Sequence, residues 1–375
     1  MYDTFIEINK SKLIQNILSI KSFINSFVNN QVKICIPVKA NAYGHDISLV
    51  TKVLEDYVDY FAVALLSEAI TLRNIGISKS ILIFGAYTDD QIADLVNNDV
   101  EITISSMYKA RLIVEYCKLH HKKIKVHIKI DTGMSRIGIR ASNAKELVDY
   151  VLFNNQYMEL VGVYSHLANS EYVNDNITNN QIKIFKSIVE YVKQQDKSII
   201  CHLANSGGVL NYPDSYFDMI RPGILTYGYM PSDNLEKHDL YSLIKPVLSL
   251  KSHVAYFKVV SEGTGISYNY SYYTKSQTRI LTIPLGYGDG YRRSLSNIGE
   301  VIIRNKKYRI IGNICMDMLM VDIGNDEAYV GDEVLLIGSD GINTIYLEDV
   351  AKICNTIIYE ILCGFNVRIP RILVD

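Results

Sequence analysis

The chain has 375 residues, 48% hydrophobic and 21% charged, and its 38 Lys and Arg against 40 Asp and Glu give a formal net charge of −2. That length suits one large domain and a smaller second one. The balanced charge, with no basic block, excludes a broad electrostatic grip on nucleic acid and points to small-molecule chemistry. From about residue 30 to residue 221, short β-type runs alternate with longer segments of helical period. The predicted strands are 32–38, 60–65, 80–84, 101–104, 124–130, 160–165, 199–204 and 216–220. Between them, segments such as SEAITLRNIG and NAKELVDYVLF repeat apolar residues every three or four positions, as helices outside a barrel do. Strands alternating with helices in this way predict an α/β fold, an N-terminal (β/α)8 TIM-type barrel.

Beyond residue 240 the texture becomes β-rich, with Gly, Asn and Asp turns and one helical stretch near DVAKICNTIIYEILCGF. This reads as a C-terminal, mainly antiparallel β domain. The division is expected in the polar stretch 230–239, giving domains 1–235 and 236–375. The start, MYDTFIEINKSK, lacks the basic and apolar regions of a signal peptide, and no run reaches a membrane span. A cytoplasmic protein with no membrane partner is expected. The six cysteines are scattered and form no C-x-x-C pair, which suggests neither a disulfide framework nor a metal site. The 28 Tyr against 10 Phe and no Trp supply many phenol hydroxyls.

In a barrel, functional groups sit where strands end. Lys39 follows the first predicted strand, Lys129 closes the fifth, and His166 follows the sixth. Asn205 and Ser206 follow the seventh, and Arg221 follows the eighth. Singly, each has an ordinary structural explanation; on one rim they form a constellation. Alternation along IKVHIKID places Val126, Ile128 and Ile130 on one face and His127, Lys129 and Asp131 on the other. If the second face looks into the barrel, an ammonium at Lys129 is repelled by Arg136. Pairing of Lys129 with Asp131 is the alternative.

The stretch VKANAYGHD (38–46) resembles the cofactor-lysine motif of the alanine racemases. Further matches run in order along almost the whole chain: KIDTGMSRIGI, GVYSHLANSE, HLANSGG, IRPGILTYG, GISY, IPLGYGDGY, IGNICMDMLMVDIG and TIIYEILCGF. The resemblance implies pyridoxal 5′-phosphate as cofactor, carried on the amine of Lys39, and pairing of TFIEI with the β domain. It implies that the cofactor phosphate is met by Tyr43, Ser206, Tyr359 and the backbone around Gly223 and Ile224, with Asn205 beside them. Hydroxyls and backbone N–H groups suit an anion, although RPG is also a common turn. Arg221 is implied to face the pyridine nitrogen, with His166 touching it. A guanidinium keeps its proton, so the ring nitrogen stays unprotonated and the electron sink is weak, which limits transamination.

The same resemblance assigns the two proton-transfer groups to Lys39 and Tyr268, the latter reaching the site from a second subunit, so a homodimer with shared active sites is implied. A phenol titrates near about 10 and needs positive charge nearby to act at neutrality. Substrate carboxylate is implied to meet Arg136 and the backbone N–H of Met316. Lys129 matches a lysine that many members carry carbamylated, as N6-carboxylysine. Tyr287, in LGYGDG, follows Tyr268 in the motif set as a supporting residue, and Cys315 and Asp317 are expected close to the partner's site, where Asp317 could orient arginines or the tyrosine. Two departures stand out: Asp46 follows His45 where the motif usually has Gly, and NYSYY follows GISY where members often have a glycine and fewer aromatics.

The expected reaction is interconversion of L- and D-alanine, supplying D-alanine for peptidoglycan. The alternative is the same chemistry on serine or a wider amino-acid range, since pocket selectivity rests on methyl-scale contacts. Related decarboxylase barrels place a carboxylate at the pyridine, which Arg221 argues against. A noncatalytic cofactor carrier shares the barrel and lysine but lacks the domain that holds Tyr268.

Overall fold

The computed structural model describes residues 4–28, 31–232, 235 and 238–375. The chain forms two compact units. One holds Lys12–Ala42 and Ile47–Lys245; the other holds Pro246–Asp375, Tyr43–Asp46 and the segment that ends at Ser11. The division falls between Lys245 and Pro246, while the predicted 235/236 division touches residue 236, outside the described residues.

In the larger unit, eight parallel strands close on themselves. In spatial order they are Glu101–Ile104, Ser80–Ile83, Tyr60–Val63, Lys33–Pro37, Met219–Ile220, Ile200–His202, Met158–Tyr164 and Ile124–Asp131, and the last pairs with the first. The short strand Ile139–Arg140 extends the edge of Ile124–Asp131 in parallel. Helices such as Leu66–Asn74 and Ala144–Phe153 cover the segments read as helical. The last barrel strand is shorter than the predicted 216–220. Phe217 takes a left-handed φ of 49°, which breaks the extended run, and Pro213–Ser215 forms a 3-10 turn before it.

Outward-facing strand residues, such as Ile102, Val126, Ile128 and Val163, are aliphatic and fully buried. The interior differs. It packs Cys35, Tyr60, Ala62, Leu82 and Met219 together in one cluster, and elsewhere it buries Glu101, His127, Lys129, His202 and Arg221, each at most 5% exposed. The alternation of IKVHIKID thus sends His127 and Lys129 inward. Barrels usually fill this space with branched aliphatics, so the polar interior marks where function resides.

The smaller unit is a mainly antiparallel sheet. Its order is Tyr256–Val260, Thr278–Ile283, Leu319–Asp322, Lys306–Ile311, Glu300–Ile303, Glu333–Ser339, Leu248–His253, Thr4–Asn9 and Arg371–Val374. Strict alternation of buried and half-buried residues in Leu248–His253 explains its one-sided packing. Thr4–Asn9 pairs antiparallel with Leu248–His253 and parallel with Arg371–Val374, as implied for TFIEI. The late helical stretch resolves into two helices, Leu347–Ile353 and Ile358–Gly364. Among the described residues, no helix is long and apolar enough to cross a membrane.

Candidate active site

Lys39 lies two residues past the end of the strand Lys33–Pro37 and opens a turn of unusual hand. Ala40, Asn41, Ala42 and Tyr43 all have φ between 52° and 54°, and Gly44 has 80°. Left-handed backbone costs L-residues roughly 1–2 kcal/mol each, so four such residues persist only if other contacts hold them. In the barrel unit, Glu68 accepts the N–H groups of Ala40 at 2.7 Å, Ala64 at 2.8 Å and Leu65 at 3.1 Å. Asn41 Oδ1 accepts from Ile47 N–H at 2.8 Å. In the smaller unit, Arg371 Nε donates to the Gly44 carbonyl at 3.0 Å, and a Cβ on Gly44 would lie 2.1 Å from the Leu362 carbonyl oxygen. The same turn brings the Tyr43 ring to 6.0 Å from that of Tyr359. Burial pushes the Tyr43 phenol above its ordinary range, so it serves as a neutral donor.

Arg221, after the short strand Met219–Ile220, is 3% exposed. Its Nη2 donates to the carbonyls of Ser165 at 2.7 Å and Leu203 at 2.9 Å, with His166 Nδ1 at 3.3 Å. Its Nη1 meets His202 Nδ1 at 2.7 Å. The guanidinium lies 5.5 Å from the Tyr164 ring, which stacks on His202 at 4.8 Å and 5°. No carboxylate pairs with Arg221 among the described residues, and no described residue accepts from its Nε–H. Burial pushes this guanidinium down to about 10, still well above neutrality. His166 is held well below the imidazole range by burial first, then by Lys129, Arg221, Arg136 and Lys39. It is therefore neutral and can accept from Arg221.

Lys129 is 5% exposed, with its Nζ 4.4 Å from the centroid of the Tyr164 ring. No ion pair joins it to Asp131, which instead accepts the backbone N–H groups of Gly133 at 2.9 Å and Ser135 at 3.0 Å. Burial, then the charges of Arg221 and Arg136, hold the Lys129 ammonium well below its ordinary value. Arg136 sits exposed on the loop after this strand and makes no hydrogen bond or ion pair among the described residues.

Asn205 caps the helix Ser206–Asn211: its Oδ1 accepts Gly208 N–H at 3.0 Å and the Ser170 hydroxyl at 2.7 Å. Ser206 Oγ lies 3.5 Å from Leu225 N, at the start of the short helix Gly223–Thr226. Two helix starts therefore meet at one hydroxyl, with the Ile224 N–H unused by any described residue. Gly223 N–H is turned locally onto the Arg221 carbonyl at 2.9 Å, so of the predicted backbone pair Ile224 offers the open donor.

The predicted residues of the smaller unit also assemble. Tyr268 begins a 3-10 turn and is 70% exposed, its carbonyl held by Asn313 Nδ2 at 2.7 Å. Ser267 Oγ donates to the Asn313 carbonyl at 2.6 Å and lies 3.6 Å from Cys315 Sγ. Tyr287 N–H donates to the Cys315 carbonyl at 3.0 Å, and Gly288 N–H to that of Met316 at 2.8 Å. Met316 keeps its own N–H unused among the described residues. Asp317 is taken by Arg368 at 2.7 Å, and Arg368 Nε also meets Asp289 Oδ1 at 2.6 Å. Sequence reading missed Arg368, Glu68, Tyr164 and His202. Period-two alternation along GVYSH and IICHLA carried the signal for the last two; nothing local marked the first two.

Pyridoxal 5′-phosphate fits this donor set. Lys39, Lys129, Arg136 and Arg221 all act on His166, and no carboxylate is ion-paired with Lys129, Arg136 or Arg221 among the described residues. Such an excess of positive charge suits a phosphate and a substrate carboxylate. Comparison with known proteins agrees. The alanine racemase N-terminal domain family matches residues 8–231 and the alanine racemase C-terminal domain family residues 247–373. The chain is 37% identical over 372 residues to alanine racemase 2 of Caldanaerobacter subterraneus subsp. tengcongensis, covering 98% of this chain and 94% of the relative. Among solved structures, the alanine racemase of Clostridium difficile 630 superposes with a TM-score of 0.90 at 34% identity, covering 100% of this chain and 96% of the other. That of Bartonella henselae, with covalently bound pyridoxal phosphate, gives a TM-score of 0.86 at 28% identity, with 100% of both chains covered.

Proposed function

Because the chain belongs to the alanine racemase family, matched over both domains, we propose that Lys39 Nζ and Tyr268 Oη are its two proton-transfer atoms. The protein is an enzyme that interconverts L- and D-alanine with pyridoxal 5′-phosphate. When bound, the cofactor draws electron density from the substrate Cα and makes its proton removable. Lys39 Nζ takes or returns that proton on one face, and Tyr268 Oη does so on the other.

Arg221, held by two carbonyls and two histidines, keeps its proton and presents Nε–H to the ring nitrogen. Tyr43, Ser206, Ile224 N–H and Tyr359 hold the phosphate. Arg136 and the Met316 N–H hold the substrate carboxylate. Burial and the charges of Arg221 and Arg136 disfavour the Lys129 ammonium, and its free amine adds carbon dioxide: the nitrogen forms the new N–C bond and releases a proton, and the resulting carbamate orients Arg136.

Tyr268 belongs to an exposed apolar face with Tyr270, Tyr273, Tyr287, Met316 and Met318, each 44–70% exposed. A second copy would cover this face, giving a homodimer in which each site takes Lys39 from one subunit and Tyr268 from the other. The protein would act in the cytoplasm, supplying D-alanine for peptidoglycan. The observation that carries the site assignment is the buried Arg221 guanidinium, held by the Ser165 and Leu203 carbonyls, His166 and His202 with no carboxylate beside it among the described residues.

Two experiments test it. Borohydride reduction of the yellow enzyme should fix the pyridoxyl group on the peptide containing Lys39; label on another lysine overturns the assignment. Lys39→Ala and Tyr268→Phe chains, each impaired alone, should regain activity when mixed through unfolding and reassembly, because one heterodimer site then holds both groups. Heterodimers as inactive as their parents rule out the shared site. A panel of L-amino acids assayed on the same preparation separates alanine from serine or broader use.

A further inference from the structure

Across the barrel interior from Arg221 runs a row of buried polar groups that the reaction itself does not require. His202 Nε2 lies 3.1 Å from His127 Nδ1, and His127 Nε2 lies 2.7 Å from Glu101 Oε2. The four side chains come from four separate strands or strand ends, and the three beyond Arg221 are at most 4% exposed. We propose that Glu101 and His127 are positioning residues for Arg221, fixing through His202 the edge that the guanidinium offers to the cofactor ring. This rests on the reading that Arg221 faces that ring.

The argument is one of donors and acceptors. A guanidinium can only donate, so Arg221 Nη1 at 2.7 Å requires a bare Nδ1 on His202. Neutral His202 then carries its proton on Nε2 and donates it to His127 Nδ1, which must be bare in turn. His127 accordingly carries its proton on Nε2 and donates to Glu101. An ionised carboxylate can only accept. A donor-only group at one end and an acceptor-only group at the other thus impose the same direction on both histidines.

If Glu101 were neutral and donated, the row could reverse. An N–H on His202 Nδ1 would then oppose an N–H of Arg221, and Arg221 would have to move.

The surroundings support ionised Glu101 and neutral His202. Burial opposes ionisation of Glu101, but its bonds with His127 and Ser80 and the nearby Lys125 hold the carboxyl below its ordinary value; Tyr60 and Cys35 are its other titratable neighbours. Burial first, and then the charge of Arg221, hold His202 well below the imidazole range. Packing fixes both rings: Tyr60 meets His127 edge-on at 6.1 Å, and Tyr164 stacks on His202. A buried carboxylate and two buried imidazoles are costly in a barrel core without such a task.

The test uses histidine labelled with nitrogen-15 and, separately, the holoenzyme loaded with cofactor labelled at the ring nitrogen. In the wild-type protein, with or without cofactor, His127 and His202 should both show pyrrole-type Nε2 and imine-type Nδ1 resonances. A protonated Nδ1 on either overturns the proposal, whatever the variants do. In Glu101→Leu, His127 should lose its single tautomer, the cofactor ring-nitrogen resonance should shift, and the cofactor dissociation constant should rise about tenfold, as for one lost hydrogen bond. Glu101→Gln, whose amide oxygen still accepts, should stay within about threefold. Arg221→Lys separates the two readings. If it moves the ring-nitrogen resonance and folded Glu101→Leu does not, the row has no positioning role. If neither moves it, the placement of Arg221 at the cofactor is itself wrong.

Discussion

Gly162 is the point at which packing and the interior polar row can be perturbed together. The strand Met158–Tyr164 carries one extra residue against Ile124–Asp131: Val126 pairs with Leu160, but His127 pairs with Gly162, so Val161 is skipped. This shift turns Gly162 and Tyr164 inward. A Cβ at residue 162 would stand 2.3 Å from His127 Nδ1, 2.4 Å from Cε1 and 2.9 Å from the Ile200 carbonyl oxygen. His127 must retreat by about 1 Å to restore an ordinary contact. Its bonds to His202 at 3.1 Å and Glu101 at 2.7 Å leave no slack for that. Overpacking a core costs about 1–3 kcal/mol, and breaking a buried hydrogen bond adds about 1–3 kcal/mol. The lost freedom of the unfolded chain returns about 0.4–1 kcal/mol. Gly162→Ala should therefore destabilise by about 1–5 kcal/mol, a Tm loss on the order of 3–15 °C by calorimetry. Adding His127→Ala removes the ring from the clash, so the double variant should fall short of additivity by at least about 1 kcal/mol. A Tm within about 1 °C of wild type, or strict additivity, would refute the packing argument.

Glu68→Ala frees three backbone N–H groups beside the left-handed turn. It should speed cofactor release, read by absorbance after dilution, and lower stability by about 1–3 kcal/mol, with Glu68→Gln intermediate. His202 remains neutral in the native state while the unfolded chain protonates through about 6.5. The unfolded state thus binds more protons below that pH, and this ring contributes a stability loss of up to about 1.4 kcal/mol per pH unit as acid is added. Urea titrations of His202→Asn from pH 7 to 5 should show a shallower decline than wild type; parallel curves would contradict the assignment. Arg368→Ala releases Asp289 and Asp317 together, and should lower kcat/KM for alanine about tenfold while leaving the visible spectrum of the bound cofactor unchanged. An altered spectrum with intact kcat/KM would place Arg368 elsewhere in the mechanism.

The sequence made the barrel legible because its outward faces obey the ordinary rule. Ile102 and Ile104 on one strand and Val126, Ile128 and Ile130 on another recur at period two beneath helices of period 3.6. Strand ends then nominated Lys39, His166, Asn205, Ser206 and Arg221, and the structure finds each at or just past such an end. Tyr268 was different. Among 28 tyrosines nothing in its neighbourhood set it apart, and only the ordered motif set selected it. The shortened last strand escaped because Phe217, an ordinary strand former, takes a conformation that its residue type does not announce. Glu68 and Arg368 escaped because the contacts that tie them to the site lie far along the chain: beyond its local bonds to Ala64 and Leu65, Glu68 reaches back 28 residues to Ala40, and Arg368 reaches back 79 to Asp289.

The interior row has a different reason for being hard to read. Glu101 lies in EITI, His127 in KVHIK and His202 in ICHLA, and in an open, half-buried sheet the polar face of such runs would turn to solvent. In a closed barrel those polar residues cannot reach solvent, because the turned face looks inward. Closure converts three apparently exposed residues into one buried network. The information is present in the alternation once the sheet is known to close, and Gly162 supplies the missing space. A polar residue on the second face of a strand is therefore weak evidence of exposure in any chain whose strand count and helix spacing already predict a barrel. In this chain that face carries the groups that hold Arg221.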